Sequence, residues 1–532
     1  MASSSSGSVY GTQTAFVSFP GAEYTQTAAV RAAHKVLSAR GWQIEEGHGI
    51  GGPVGQSSSQ DEATAPSGKD LYLADYDLLP FEDLLPGPSS SAKGKQPQCS
   101  SYVIRKALIR KHYLASALNT YAVKLPPGPN ADRFRTCTPK TWHLEIQFAD
   151  ELDELLMDDL YDLNEMLEAN QEAVEQGRQE DVKWFILKPG MADRGNGIRI
   201  FGTLEQLQAI FEEFEPDSDD EDDGEDEEEK KDQDGGRDDI RERDGGSFGG
   251  KDTSIMASQL RHFVIQEYIR SPLLIVLVAP IDDSASLAAQ IPQKLNMDAS
   301  TTQPSVRKFH LRAYVLCVAG LAVYLHDDML ALFAPLAYQQ PTDATVGDLR
   351  CHLTNTCLQQ DGSLAVGNDA RPKEENVFLW SDLAGSPFKM SASEGRSTLS
   401  AEMIDYVRRK ATDVIGASFE AAAKAGSIHW QMWPNAFEVF GVDLLVGYDD
   451  ATEGRGQELK VWLLEVNAQP DFAQTGARLS AVIDRLFERV CEIAVLPYHS
   501  DKDALENLEG WKVGESRNGT TLCYKEDLGR GF

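Results

Sequence analysis

Val461-Trp462-Leu463-Leu464-Glu465-Val466-Asn467-Ala468-Gln469-Pro470 is an apolar, strand-like run that places an acid and an amide two residues apart. Side chains two apart on a strand share one face, so Glu465 and Asn467 offer oxygens to one hard cation. Upstream, Phe440-Gly441-Val442-Asp443-Leu444-Leu445-Val446 is a second apolar strand carrying one carboxylate. A polar residue on a buried strand face is costly, and two neighbouring strands that each carry one read as magnesium ligands. A third strand, Trp184-Phe185-Ile186-Leu187-Lys188-Pro189, ends in a lysine and leads into Asp193-Arg194-Gly195-Asn196-Gly197-Ile198. Lysine, glycine turn, then paired acids, in that order, read as a nucleotide site built from two sheets.

The chain has 532 residues, too many for one core, and about 150 residues per domain predicts two to four units. Residues 273–280 are the longest apolar run, far short of the ~18 residues that a bilayer span needs. The N-terminus, Met1-Ala2-Ser3-Ser4-Ser5-Ser6-Gly7, lacks the basic and apolar regions of a secretory signal, which places the protein inside the cell. Seven scattered cysteines without a C-x-x-C pair support neither a disulfide framework nor a zinc site. Net charge is −34, of which 20 acidic and 5 basic residues between Glu212 and Asp244 contribute −15. The remaining −19 still makes the body acidic and argues against direct nucleic-acid binding.

Thr14-Ala15-Phe16-Val17-Ser18-Phe19-Pro20 predicts a strand, 24–40 a helix stopped by Gly41, and Trp42-Gln43-Ile44 the next strand. This opening predicts a small α/β domain over 1–150, with mobile Gly/Ser-rich loops at 47–69 and 86–98 and a strand from Leu71. A helix over 101–122 would bring Arg105, Lys106, Arg110, Lys111 and His112 together, either as a solvated face or as a landing site for an anionic partner. An acidic amphipathic helix over 150–177 precedes a central lobe, 151–305, interrupted by a disordered acidic insertion at about 215–257. A further unstructured stretch, 282–305, precedes a second lobe, 306–500. Helices are predicted over 400–425 and 475–496, and 501–532 is read as a tail, with 511–532 laid on the surface.

Lys188, at the end of an apolar strand, needs an anion, and phosphate oxygens would supply one. Gly195 and Gly197 let backbone amides approach phosphates closely. Phe263-Val264-Ile265-Gln266-Glu267-Tyr268-Ile269 turns polar at its end, where it can meet a purine edge. In Val306-Arg307-Lys308-Phe309-His310-Leu311-Arg312 the period of two projects Lys308, His310 and Arg312 from one face, where Arg312 suits a phosphate or carboxylate. The next strand, 320–326, pairs with it as a hairpin. His352-Leu353-Thr354-Asn355-Thr356 adds imidazole, hydroxyl and amide groups. Neither a Walker A pattern nor a protein-kinase H-R-D and D-F-G pair is present.

Lys188, Gly195-x-Gly197-Ile198, Gln266-x-Tyr268-Ile269, Lys308-Phe309-x-x-Arg312, His352-Leu353-Thr354-Asn355 and Glu465-Val466-Asn467 stand in the order found in tubulin-tyrosine ligase-like proteins. The resemblance spans roughly 101–496, with Pro139-x-Thr141 as an earlier match. It implies an ATP-grasp fold, α/β and α+β, in which ATP lies between two lobes behind a small N-terminal α/β domain. It also implies ATP- and Mg²⁺-dependent ligation of a carboxylate to an amine through an acyl phosphate. By the same resemblance Lys188 holds the α- and β-phosphates, Gln266 and Tyr268 frame the adenine, Lys308 lines the nucleotide pocket, and Gly195, Gly197, Ile198, Glu267, Ile269, Thr354 and Asn355 are further nucleotide-binding positions. Asp443, Glu465 and Asn467 bind Mg²⁺, and Arg312 stabilises the migrating phosphoryl group. The implied partners are a free amino acid, tyrosine or glutamate, and the tubulin C-terminal tail or another acidic protein tail, the basic 105–112 helix helping to hold it.

Two positions depart from the family pattern. His310 stands where active ligases carry Asp in K-F-D-x-R, and His326 stands where a second arginine follows on the paired strand. A neutral histidine does not replace a fixed positive charge at pH 7. K-F-H-x-R is similar to a fungal branch of the family linked to cytoplasmic RNA granules (P-bodies), although the N-terminal segment is too short for the phosphatase-like domain of some members. The alternative reading is therefore a nucleotide-binding, catalytically weak scaffold among RNA-granule proteins. A third is a small-molecule ATP-grasp ligase. The expected location is cytoplasmic, in P-bodies or on microtubules.

Overall fold

The computed structural model describes residues 12–47, 65–85, 95–190, 195–214, 261–277, 305–354, 376–389, 396–448 and 458–526. Asp193, Arg194, Asn355, the acidic tract from residue 215 and the stretch 282–304 lie outside them. The chain divides into two units, Met1–Thr141 together with Glu267–Phe532, and Trp142–Gln266. The boundaries expected at 150, 305 and 500 do not coincide with that division, because the N-terminal segment is tied into the C-terminal part. Arg105 Nε lies 2.8 Å from the buried Glu438 Oε1. Gln98 donates to the Ala494 carbonyl at 3.0 Å, and Asn435 donates to the Pro97 carbonyl at 2.9 Å.

The predicted strand-helix-strand opening is present. Strand β1 (Thr14–Ser18) is followed by an α-helix (Glu23–Ala32) that continues as a π-turn (Ala33–Leu37) and a 3₁₀ turn (Ser38–Arg40). Gly41 stops it with φ +84°, a left-handed conformation that glycine adopts without penalty. With β2 (Gln43–Glu46), β3 (Leu71–Ala74) and β4 (Gln98–Cys99) it makes a parallel sheet of order β2-β1-β3-β4. The helix predicted over 101–122 forms as two pieces, Lys106–Ile109 and Lys111–Lys124, because Arg110 is extended at φ −96°, ψ 117°.

The second unit is a four-stranded sheet, β5 (Thr141–Glu145), β6 (Phe185–Pro189), β7 (Arg199–Phe201) and β8 (His262–Glu267), in the order β5-β8-β6-β7. Leu187, Phe201 and Phe263 pack with Leu163 and Leu167 of the helix Tyr161–Glu175 and Leu207 of the helix Leu204–Glu213. The acidic helix expected over 150–177 is broken, since Leu152–Met157 ends before Tyr161–Glu175 begins.

The first unit carries two further sheets. The smaller joins β9 (Leu274–Leu277), β10 (Ser305–Arg307), β15 (Pro387–Lys389) and β16 (Arg396–Thr398) as β10-β9-β15-β16. The larger holds β11 (Phe309–Val318), β12 (Ala322–His326), β13 (Leu330–Phe333), β14 (Val377–Leu379), β17 (Phe437–Tyr448), β18 (Leu459–Ala468), β19 (Ser516–Arg517) and β20 (Thr520–Lys525). One edge of β11 is shared: Phe309–Arg312 pair with β13 and Val315–Val318 with β12, as the hairpin reading expected. The other edge pairs with β17, which pairs with β18. One face of this sheet, with Leu311, Ala313, Val315, Phe440, Val442 and Leu444, is core beneath the helix Ala401–Ala425.

Of the residues read as a tail, 501–526 are described and are integral instead, and 527–532 lie outside the described residues. Helix Lys502–Leu508 precedes β19 and β20, and β20 pairs along β12 with Leu522 and Cys523 buried. The β-branched pair Thr520-Thr521 followed by Leu522-Cys523-Tyr524 is the strand signal that the polar, glycine-containing surroundings hid. Among the described residues no helix is long and apolar enough to cross a membrane. The six described cysteines are buried and unbridged.

Candidate active site

The site begins with a fault in a strand. Leu463 pairs with Leu444 and Glu465 with Asp443, so Leu464 is an extra, unpaired residue in β18. Such a bulge shifts the two-residue period. Val461 and Leu463 before it and Val466 after it all enter the core, whereas strict alternation would have sent Glu465 and Asn467 there. The bulge turns those two side chains to the opposite face, beside Asp443.

Register then lines the groups up. Arg312 is opposite Asp443, and Asp443 is opposite Glu465, so an arginine and two acids form one row across β11, β17 and β18. Arg312 holds Asp443 through two bonds, Nε to Oδ1 at 2.5 Å and Nη2 to Oδ2 at 3.0 Å. Both side chains are buried. Asn467 Nδ2 lies 3.4 Å from Glu465 Oε1 and 3.5 Å from Asp443 Oδ2. Gly441 faces Asn467 in the register, and a Cβ there would meet Pro470 Cβ at 2.9 Å and Arg312 Cδ at 3.4 Å. The contact that forces a shift is the one with Pro470, so glycine here lets the end of β18 lie close against β17.

Lys308, His310 and Arg312, predicted on one face, are all buried rather than surface-exposed. Lys308 Nζ donates to the Tyr268 hydroxyl at 3.1 Å and sits 4.3 Å above its ring, and that hydroxyl meets His352 Nδ1 at 3.0 Å. Burial, reinforced by the Lys308 charge, brings the His352 imidazole down to about 4, and burial pushes the Tyr268 phenol well above its usual range. The hydroxyl therefore accepts from Lys308 and donates to a neutral His352. His310 Nδ1 meets Thr354 Oγ1 at 2.5 Å, and its Nε2 stands 3.6 Å from Asp443 Oδ1. Burial lowers the His310 pKa, so this imidazole is neutral near pH 7.

In the other unit, Lys188 ends β6 beside β8 and donates to Gln266 Oε1 at 2.5 Å, both side chains being buried. Gly195 and Gly197 have φ of +82° and +68°, left-handed conformations that glycine adopts without penalty, and Ile198 is buried beside them. Glu267 ends β8 half-buried, its N–H bonded to the Lys140 carbonyl at 2.9 Å, and Ile269 is half-buried two residues on.

Of the five members of the basic cluster, two meet carboxylates of the chain itself and a third is buried, while Lys106 is exposed. Arg105 belongs to Glu438 and His112 is buried, while Lys111 Nζ lies 3.1 Å from Glu465 Oε2. Lys111 is the member of this site that sequence reasoning did not assign, because nothing local in 105–112 tells which carboxylate, more than three hundred residues later, a lysine meets. His326 stands outside the row: its register partner is Thr520 and its nearest carboxylate Asp328, at 3.6 Å. Burial depresses His326 to about 4, partly offset by Asp328 and Asp327. Its neutral form is favoured in the fold, so its contribution is present above pH ~6.5 and is lost as pH falls towards 4. Urea unfolding at pH 7.5 and 5 is expected to show a smaller loss of midpoint on acidification for His326→Leu than for the wild type. An equal loss in both would remove His326 from the acid response.

Among the described residues no three or more His, Cys, Asp or Glu side chains cluster as metal ligands. Asp443, Glu465 and Asn467 nevertheless converge within hydrogen-bond reach of one amide, a hard-oxygen donor set once Asn467 turns its oxygen inward. That set fits Mg²⁺ with water and phosphate oxygens completing the shell. Each carboxylate already carries a cationic side chain, Arg312 on Asp443 and Lys111 on Glu465.

Residues 139–503 match the model of the tubulin-tyrosine ligase family. A probable tubulin–tyrosine ligase of Schizosaccharomyces pombe is 36% identical over 426 residues, covering 80% of this chain and 82% of that protein. The probable tubulin–tyrosine ligase PBY1 of Saccharomyces cerevisiae is 33% identical over 438 residues, 81% of this chain but 46% of that protein, so this chain spans less than half of its length. Among solved structures, the C-terminal domain of K. lactis Pby1 is described as an ATP-grasp enzyme interacting with the mRNA decapping enzyme Dcp2. It matches with a TM-score of 0.52 at 26% identity, over 96% of this chain and 99% of that one. The fold expected from the motifs, ATP-grasp, is therefore the fold observed. With the family model covering most of its length and a relative this similar along four-fifths of it, the chain belongs to the tubulin-tyrosine ligase family.

Proposed function

We propose that the chain is an ATP- and Mg²⁺-dependent ligase that joins an amino acid, tyrosine or glutamate, to a carboxylate on a protein tail, with the tubulin C-terminal tail as acceptor. The observation that carries this reading is the row Arg312, Asp443 and Glu465 with Asn467 beside it. Such an array has no packing value that apolar residues would not exceed. An acceptor carboxylate oxygen attacks the γ-phosphorus, the bond to the ADP oxygen breaks, and an acyl phosphate forms. The amine nitrogen then attacks the acyl carbon, phosphate departs, and the amine loses a proton as the amide forms. Asp443, Glu465 and Asn467 would hold Mg²⁺, which would offset the charge that develops on the transferring phosphoryl group. Arg312 commits Nε and Nη2 to Asp443, which pre-orients Nη1 for a phosphoryl oxygen. Lys188 with Gln266, and Tyr268 with Lys308, take the nucleotide roles that their family positions carry, and Asn355 joins them by its place in the motif.

A second reading is a nucleotide-binding scaffold of cytoplasmic RNA granules. It is favoured by neutral His310 standing beside Asp443 and by the Dcp2 interaction in the description of the K. lactis protein. Trapping with hydroxylamine decides between them, because it needs no knowledge of the natural amine. Wild-type protein with MgATP and a detyrosinated α-tubulin tail peptide is expected to yield peptide hydroxamate, and Glu465→Gln is expected to yield none. Silence from a wild type that still binds ATP would favour the scaffold.

A further inference from the structure

The two cations that hold the candidate metal carboxylates come from different parts of the fold. Arg312 sits on the strand next to Asp443, buried, with two bonds in register. Lys111 reaches Glu465 from a separate element, its Nζ 3.1 Å from Oε2 at the tip of a flexible four-carbon stem. Its backbone is held independently of that contact. His112 is buried next to it, and Tyr113 stacks on His429 with centroids 3.9 Å apart and planes 19° from parallel. Only the Lys111 side chain has to move for the contact to break. It takes Glu465 Oε2, while Oε1 faces Asn467 and, through it, Asp443.

We propose that Lys111 is the resident counter-ion of Glu465 in the metal-free protein and that the ammonium is displaced when a divalent cation enters. This rests on the reading of Glu465 as a metal ligand. A divalent ion and an ammonium on the same carboxylate repel each other, and the four rotatable bonds of the lysine stem let the ammonium withdraw. In the meantime it prevents a partly buried acid from standing unpaired among polar groups. Metal affinity is thereby set partly by the N-terminal segment, in which Lys111 is a positioning residue.

The test is Mn²⁺ binding to the full, nucleotide-free chain, followed by the electron paramagnetic resonance of free Mn²⁺. Lys111→Met is expected to tighten binding roughly fivefold, the scale of a partly exposed ion pair, and Lys111→Arg to restore wild-type affinity. On the wild type, acetic anhydride labelling read by mass spectrometry is expected to modify Lys111 faster when Mn²⁺ saturates the site. Glu465-dependent Mn²⁺ binding with unchanged affinity in Lys111→Met, or with an unchanged labelling rate, overturns the exchange and leaves the metal site intact. Binding indifferent to Glu465→Gln overturns the metal assignment and the exchange with it. The labelling arm needs no variant, so it stands even if Lys111→Met does not fold.

Discussion

Replacing Arg312 with methionine is expected to destabilise the protein by about 3–5 kcal/mol, the cost of breaking a buried ion pair by removing one partner. Asp443 is 5% exposed and both its oxygens are held by the guanidinium. Methionine fills much of the arginine stem's volume, so the loss is electrostatic and hydrogen-bonding rather than a cavity. Neutral His310, 3.6 Å from Asp443 Oδ1, is no substitute for the missing charge. Since a folded domain is stable by only about 5–15 kcal/mol, the variant should express poorly or melt far below the wild type. Adding Asp443→Leu should recover most of the loss, because a well-packed apolar pair often equals a buried ionic one. Urea unfolding of the two variants measures both effects. A loss under about 1 kcal/mol in the single variant would mean that water or a rearranged cation reaches Asp443.

Glu465→Gln is expected to leave the fold in place and to reduce MgATP turnover by a hundredfold or more, on the order of the several kcal/mol that a metal ion supplies at a transferring phosphoryl group. The substitution changes one atom on a side chain that is 24% exposed, so its structural cost is small. Its chemical cost is large because the amide loses the charge that attracts both Lys111 and a divalent ion. Single-turnover ADP release in the presence of acceptor peptide, with a thermal melt alongside, separates the two. Unchanged turnover would end the metal assignment, and a collapsed melt would make Glu465 a structural residue.

Most of the site was legible as pattern, and its limits were physical. The E-x-N and lone-Asp strands, the K-F-x-x-R strand and the hairpin after it could be read because strand period and polar intrusions are local properties of sequence. The expectation that Glu465 and Asn467 share a face was right for a reason that it did not contain. Plain alternation from Val461 and Leu463 points Glu465 into the core, and Leu464 is needed to turn it out. The sequence does not single out the extra residue, because Val461, Trp462, Leu463 and Leu464 are all apolar. The Lys111–Glu465 and Arg105–Glu438 contacts were illegible because charge in a helix does not name a partner hundreds of residues away. The break at Arg110, which sets where Lys111 points, leaves no mark in composition, since arginine is a good helix former.

The unpaired Leu464 also bears on how this strand can change length. In a regular strand the side-chain period is two, so losing one residue exchanges inside for outside in everything downstream. A bulge is the exception, because it already holds one residue more than its partner strand. Without Leu464, Leu463 would still face Leu444 and Glu465 would still face Asp443, in an unbroken ladder that leaves Val466 towards the core and Glu465 and Asn467 on the other face. The strand that carries the acid can therefore lose a residue at this one point and keep the side chains of the site where they are.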